Sequence, residues 1–162
     1  MLHRTESDER NEHILSDILH LLSEGRSPLV ISDRTEHLDI LSNSLMGKKD
    51  RKETIAAVRE YVEKRNQFCL FSTGSLIGEG FDLPELDTML ITMPISFKGR
   101  LTQYVGRLHR QTSPEQKEIV VYDYVDTCSG MTISMFKKRL SAYKKLGYMP
   151  VYDPGDKIAR WL

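Results

Sequence analysis

Three polar side chains repeat at helical spacing between residues 103 and 110, and two of them are arginines. Gln103, Arg107 and Arg110 stand at positions i, i+4 and i+7, so a helix over 99–110 places them on one face. Arginine stays charged and presents a planar fork of donors, so two guanidiniums on one rigid helix suit a phosphate chain. The pattern also fits an ordinary solvated face of an amphipathic helix, and periodicity alone leaves both interpretations open.

A second candidate is a glycine-spaced segment that ends in an acid, Gly74-Ser75-Leu76-Ile77-Gly78-Glu79-Gly80-Phe81-Asp82. Glycines such as Gly78 and Gly80 let the backbone approach a ligand closely, and a carboxylate such as Asp82 accepts hydrogen bonds from sugar hydroxyls. A plain structural turn after a strand has the same composition, so this alternative also stays open. The spacing differs from the GxGxxG dinucleotide fingerprint.

The pattern that grips a triphosphate, GxxxxGKS or GxxxxGKT, does not occur in the sequence. The single Gly-Lys pair, Gly47-Lys48, is followed by Lys49, and Ser42 stands where the first glycine belongs. The chain can therefore contribute arginines to a site for a triphosphate and its magnesium, but we expect it not to build one alone. The scattered histidines and the cysteines Cys69 and Cys128 predict no metal site, and the thiols are expected to be reduced.

The elements that position these residues alternate between helices and short apolar strands. Helices are predicted over 8–24, 38–47, 50–62, 99–110 and 132–146, and strands over 29–32, 67–72, 87–93 and 117–126. This order predicts an α/β fold with an open, mostly parallel sheet and helices on both faces. Ligands gather beyond the carboxyl ends of such strands, which selects the loops 32–35, 73–82 and 94–100.

Composition and charge set the remaining limits. The 162 residues carry 23 basic and 23 acidic side chains, but residues 1–24 have a net charge of −4 and residues 97–145 one of +6. This asymmetry allows one basic face for an anionic partner, although a solvated surface has the same signature. Because no apolar run is long enough for a signal core or a membrane span, we expect a cytoplasmic protein with no membrane partner.

Three segments together resemble the C-terminal RecA-like domain of superfamily 2 helicases of the DEAD/DEAH type. The resemblance spans roughly residues 12–147, so the domain is placed at 1–147, and residues 148–162 are expected to be an irregular tail or the start of a further element. Pro28-Leu29-Val30-Ile31-Ser32-Asp33-Arg34 looks like motif IV, and Ser72-Thr73-Gly74 through Gly78-Glu79-Gly80-Phe81-Asp82-Leu83-Pro84 looks like motif V. Gln103-Tyr104-Val105-Gly106-Arg107-Leu108-His109-Arg110 looks like motif VI, the QxxGRxxR signature. The conjunction of the three favours the functional interpretation of the arginines and glycines.

The resemblance implies a role for each matching residue. Arg107 and Arg110 would approach the β- and γ-phosphates of ATP, and Gln103 would join the nucleotide site to the strand-binding surface. Gly78, Gly80 and Asp82 would face the ribose side of the nucleotide. The residues implied for the nucleic-acid backbone are Ser32, Arg34, Thr73, Gly74, Lys98 and Arg100. ATP with Mg²⁺ would be bound mainly by an N-terminal RecA-like domain in cis, so the 162-residue chain is expected to be inactive alone.

Details of motif VI favour one branch of the superfamily. Gln103 stands where DEAD-box RNA helicases have a histidine, and His109 stands where they have a glycine. The sequence looks closer to the DNA-acting helicases similar to type III restriction subunits and repair translocases, so DNA is expected rather than RNA. The expected function is the C-terminal motor domain of an ATP-dependent helicase or translocase. Two alternatives stay open, namely a non-catalytic module that binds nucleic acid or a partner, and a regulatory nucleotide-binding domain.

Overall fold

A central parallel sheet with helices on each side forms the domain. The computed structural model describes residues 6–46, 67–75, 83–94, 100–108 and 118–152, together with residues 155 and 158. The helices are α1 (Glu6–Ser23), α2 (Thr35–Met46), α3 (Arg100–Leu108) and α4 (Gly130–Lys145), and the strands are β1 (Pro28–Ile31), β2 (Leu70–Ser72), β3 (Thr88–Ile91) and β4 (Val120–Asp123).

The four described strands are all parallel and lie in the order β2-β1-β3-β4. In the register, Ile31 of β1 pairs with Ser72 on one side and Ile91 on the other, and Ile91 pairs with Asp123. Strands β1 and β3 are buried along their whole length, as expected when helices cover both faces of a parallel sheet. The predicted fold class is confirmed.

Alternate residues of the two central strands, β1 and β3, lie in two separate hydrophobic cores, one on each face of the sheet. Leu29, Ile31, Met89 and Ile91 face α3 and α4, whereas Val30 and Leu90 face α1 and α2. Each large aliphatic side chain buried in this way contributes about 1.5–3 kcal/mol. The period of two along each strand therefore decides which pair of helices packs on which face.

Helix α1 ends where its sequence predicts a stop. Gly25 has a φ of 82°, in the left-handed region that glycine adopts without steric cost. The next amide, that of Arg26, donates to the Leu21 carbonyl at 3.0 Å, which closes the last turn of the helix. The chain then enters β1 two residues later.

Some predicted elements differ in extent or fall outside the described residues. The strands predicted over 67–72 and 117–126 are shorter in the structure, at Leu70–Ser72 and Val120–Asp123. The helix predicted over 50–62 lies outside the described residues. Beyond α4, Tyr148 packs against Tyr143 with ring centroids 6.2 Å apart, and residues 148–152 form neither helix nor strand. The domain boundary after residue 147 stays a prediction.

Candidate functional site at the carboxyl ends of the strands

The turns after β1 and β2 meet at one edge of the sheet. These strands are neighbours, and the Ser32 amide donates to the Ser72 carbonyl at 3.3 Å. On the other side of β1, the Thr92 amide donates to the Ile31 carbonyl at 3.1 Å. The structure therefore brings together two of the three loops that the sequence selects, those containing Ser32 to Arg34 and Thr73 to Gly74.

Ser32 is fully buried, and its hydroxyl is occupied by neighbours within the protein. Its Oγ accepts from the Arg34 amide at 3.2 Å and lies 3.3 Å from His37 Nδ1. The other ring nitrogen, His37 Nε2, lies 2.9 Å from Asn11 Oδ1, which can only accept, so Nε2 carries a proton, and in the neutral imidazole Nδ1 then accepts from the Ser32 hydroxyl. Ser32 thus stabilises the turn through hydrogen bonds inside the protein. Its direct contact with a ligand stays a prediction.

This arrangement requires a neutral His37. Partial burial lowers the pKa of the His37 imidazole, and the positive charges of Arg10 and Arg34 lower that pKa further. Arg34 itself is exposed at the start of α2, so its guanidinium is accessible to an anion. The turn after β1 consequently presents the positive charge of Arg34 to solvent. Beneath it, the uncharged side chains of Ser32, His37 and Asn11 are linked by hydrogen bonds.

Two arginines that sequence reasoning missed hold strands β3 and β4 together. Arg10 of α1 donates from Nη2 to the carbonyls of Thr92 and Tyr124, each at 2.9 Å, at the carboxyl ends of the two strands. At the opposite ends, Arg26 donates from Nη1 to the Glu118 carbonyl and to Thr88 Oγ1, each at 3.0 Å. The composition gave no signal for either role, because an arginine on an amphipathic helix, such as Arg10, or in a loop, such as Arg26, ordinarily faces solvent.

The turn after β2 is tied directly to α3. The Thr73 hydroxyl lies 3.1 Å from the Ser75 hydroxyl, and the buried Gly74 carbonyl accepts a hydrogen bond from the Tyr104 hydroxyl. Tyr104 is 3% exposed and lies on the inner side of α3. A short chain of contacts therefore runs from the predicted nucleic-acid residues Thr73 and Gly74 to the helix that carries motif VI.

Helix α3 presents the expected division between an inner and an outer face. Tyr104, Val105 and Leu108 are buried in the core, whereas Gln103 and Gly106 are exposed. The helix begins at Arg100, and Arg107 follows Gln103 after about one turn. The side chains of Arg100 and Arg107 and the whole of Gly78, Gly80, Asp82, Lys98 and Arg110 lie outside the described residues, so their roles stay predictions.

A buried ion pair fixes α4 to the end of β4. Arg139, 1% exposed, donates from Nε to Asp123 Oδ2 at 2.7 Å and from Nη2 to Oδ1 at 2.9 Å. The Tyr143 hydroxyl donates to Asp123 Oδ2 at 3.0 Å. Burial and the Asp123 carboxylate raise the pKa of Tyr143. Because its partners are all internal, this cluster serves the fold rather than a ligand.

Neither a metal site nor a membrane segment is found in the described part of the chain. No group of three or more histidine, cysteine, aspartate or glutamate side chains there could hold a metal ion. No helix among the same residues is long and apolar enough to cross a bilayer.

The parallel sheet, the two turns that meet at its carboxyl edge and the helix of the QxxGRxxR segment beside them match the RecA-like fold that the sequence resembles. The chain belongs to the helicase conserved C-terminal domain family, whose model matches residues 10–112. The resemblance to the C-terminal domain of superfamily 2 helicases is thereby confirmed. The branch within the superfamily stays a prediction.

One viral protein is similar to this chain in sequence, and two solved structures are similar to it in fold. The chain is 27% identical over 135 residues to the transcript termination protein of Fowlpox virus (strain NVSL), an alignment that covers 75% of the chain and 28% of the viral protein. Its fold is similar to that of T4 UvsW, with a TM-score of 0.63 and 12% identity over 88% of this chain and 35% of that one. It is also similar to a variant of S. cerevisiae Dbp5 bound to RNA and ADP BeF3, with a TM-score of 0.58 and 14% identity over 91% of this chain and 38% of that one. The chain thus spans less than a third of the length of the viral relatives it matches.

Proposed function

We propose that this domain is the C-terminal half of an ATP-dependent motor that grips a nucleic-acid strand and moves along it or separates it from its partner. The observation that carries the proposal is the meeting of the turns after β1 and β2, with Arg34 exposed at one turn and Thr73 half-buried at the other. Contacts of this kind with phosphates fix the position of a strand without reading its sequence.

The outer face of α3 supports the nucleotide side of the proposal. Gln103 and Gly106 are exposed, while three inner residues hold the helix firmly on the core. In the family pattern, Arg107 and Arg110 would donate to the terminal phosphates, with Gly78, Gly80 and Asp82 near the ribose. ATP with Mg²⁺, bound mainly on an N-terminal RecA-like domain, supplies the free energy of hydrolysis when present. We therefore propose that the 162-residue chain hydrolyses no ATP by itself.

We propose DNA as the strand on which the motor acts. Support comes from Gln103, which stands where the DEAD-box RNA helicases have a histidine. The Fowlpox relative is named a transcript termination protein and one similar structure holds RNA, so RNA is the alternative that the experiment must separate.

The cysteines Cys69 and Cys128 are both free, in keeping with the reducing, cytoplasmic compartment that we propose.

A salt titration of strand binding tests the nucleic-acid part of the proposal. Fluorescence anisotropy of labelled oligodeoxythymidine and oligouridine is measured with the 162-residue chain at increasing salt. Each neutralised phosphate of a single strand contributes a slope of roughly −0.7 to the plot of log K against log salt, so Arg34→Ala should flatten the plot by about 0.7. Lys138→Ala is the matched control, because this exposed lysine of α4 lies on the opposite face of the sheet from α2.

The outcomes separate the possibilities. Binding of oligodeoxythymidine with a slope that Arg34→Ala reduces and Lys138→Ala leaves unchanged supports the proposed strand contact. Tighter binding of oligouridine would replace DNA with RNA as the substrate. Absence of binding to both probes would contradict the grip on nucleic acid.

A further inference from the structure

Tyr104 is the one described side chain of α3 that is hydrogen-bonded to the turn after β2. Its ring lies in the core beside Val105 and Leu108, and its hydroxyl donates to the Gly74 carbonyl thirty residues earlier in the chain. Both Gly74 and Tyr104 are buried, so water does not compete easily for this bond. A buried hydrogen bond is costly to break, because its donor and acceptor lose a partner that solvent does not replace.

The position of this bond gives it a consequence for function. Thr73, which we propose to touch the nucleic-acid backbone, immediately precedes Gly74, and Arg107 follows Tyr104 three residues later in the same helix. A helix rises 1.5 Å per residue and behaves as a rigid element over so short a distance. The bond between Tyr104 and Gly74 therefore connects the Thr73–Gly74 turn directly to α3.

We propose that Tyr104 is a positioning residue that couples nucleic-acid contact at the turn after β2 to the arginine-bearing helix α3. This inference rests on the proposed function, because it needs a strand to contact Thr73. Tyr104 touches neither nucleotide nor nucleic acid in this role. It acts through the Gly74 carbonyl on one side and through the α3 backbone on the other.

Hydrogen exchange in the presence of a strand tests the coupling. Amide exchange of α3 is measured by mass spectrometry in the 162-residue chain, free and saturated with oligodeoxythymidine, and in parallel with oligouridine. In the wild type, binding should slow exchange of the α3 amides by about fivefold, the effect of one net hydrogen bond. Tyr104→Phe keeps the ring in the core and removes only the hydroxyl, so it should bind the strand with similar affinity and show no slowing in α3.

Tyr143→Phe is the matched control. It also removes one hydrogen-bonded tyrosine hydroxyl from the same buried cluster, but that hydroxyl donates to Asp123 and not to the turn. It should retain the slowing seen in the wild type, whereas a purely structural role for Tyr104 would give the two variants the same response.

Each outcome decides one of the two proposals. Equal slowing in the wild type and in Tyr104→Phe overturns the coupling and leaves the proposed function intact. If the wild type binds the strand and the amide exchange of α3 does not slow, the coupling is also overturned and the proposed function stays intact. This result does not depend on whether Tyr104→Phe folds. Absence of strand binding by the wild type overturns the nucleic-acid part of the proposed function and the coupling with it.

Discussion

Replacing Asp123 with asparagine should destabilise the domain severely. Asparagine keeps the size of the side chain but removes the charge that compensates Arg139, which is 1% exposed. Removing one partner of a buried ion pair costs about 3–5 kcal/mol, since the remaining charge stays buried and uncompensated. The asparagine oxygen still accepts one hydrogen bond, worth about 1 kcal/mol, so the expected loss in the free energy of unfolding is about 3 kcal/mol.

Urea unfolding followed by circular dichroism measures this loss. Tyr143→Phe is the control, because it removes one hydrogen bond to the same oxygen, Asp123 Oδ2, and leaves the ion pair in place. That variant should lose only about 1 kcal/mol. Equal losses for Asp123→Asn and Tyr143→Phe would refute the reasoning, because they would mean that the Arg139 charge is compensated elsewhere.

Three further variants test other parts of the structure. Arg110→Ala in a polypeptide with both RecA-like domains should lower kcat for ATP by about a thousandfold, the effect of an arginine finger, with Lys138→Ala unchanged. Arg10→Ala should lower the free energy of unfolding, measured by urea titration, by about 2 kcal/mol, because the Thr92 and Tyr124 carbonyls lose a shared charged donor. Because the pKa of His37 is lowered in the folded protein, His37 becomes protonated at a higher pH in the unfolded chain than in the folded one. Stability should therefore decline below about pH 6.5 in the wild type and decline less in His37→Gln, and identical pH profiles would contradict the neutral His37.

The sequence was sufficient for the fold because the relevant signals are local. Apolar runs such as Leu29 to Ile31 and the stop at Gly25 depend on near neighbours, and the structure confirms the sheet and both helical faces. The internal polar contacts were not predictable, because they join residues far apart in the chain. Arg139 counted toward the basic segment 97–145, yet it is buried against Asp123 and adds nothing to an exposed face.

The location of the candidate site was predictable from the sequence, but the contacts that hold its two turns in place were not. Strand ends place the turns at Ser32 and Thr73 together, which the parallel topology alone implies. The contacts beneath those turns come from α1, α2 and α3, and no sequence motif predicts the pair His37–Asn11 or the pair Tyr104–Gly74. Such pairs emerge only when tertiary packing fixes which faces of the helices meet the sheet.

The contacts of Arg10 in α1 and of Arg26 in the loop before β1 have a mechanical consequence for the edge of the described sheet. β4 lies at the edge of the described sheet, where an applied force would otherwise detach it one hydrogen bond at a time. Arg10 and Arg26 hold both of its ends to β3, so separation of the edge strand from either end must break an arginine contact as well as backbone hydrogen bonds. Arg10 of α1 and Arg26 of the loop that follows α1 therefore brace the edge strand against separation from β3.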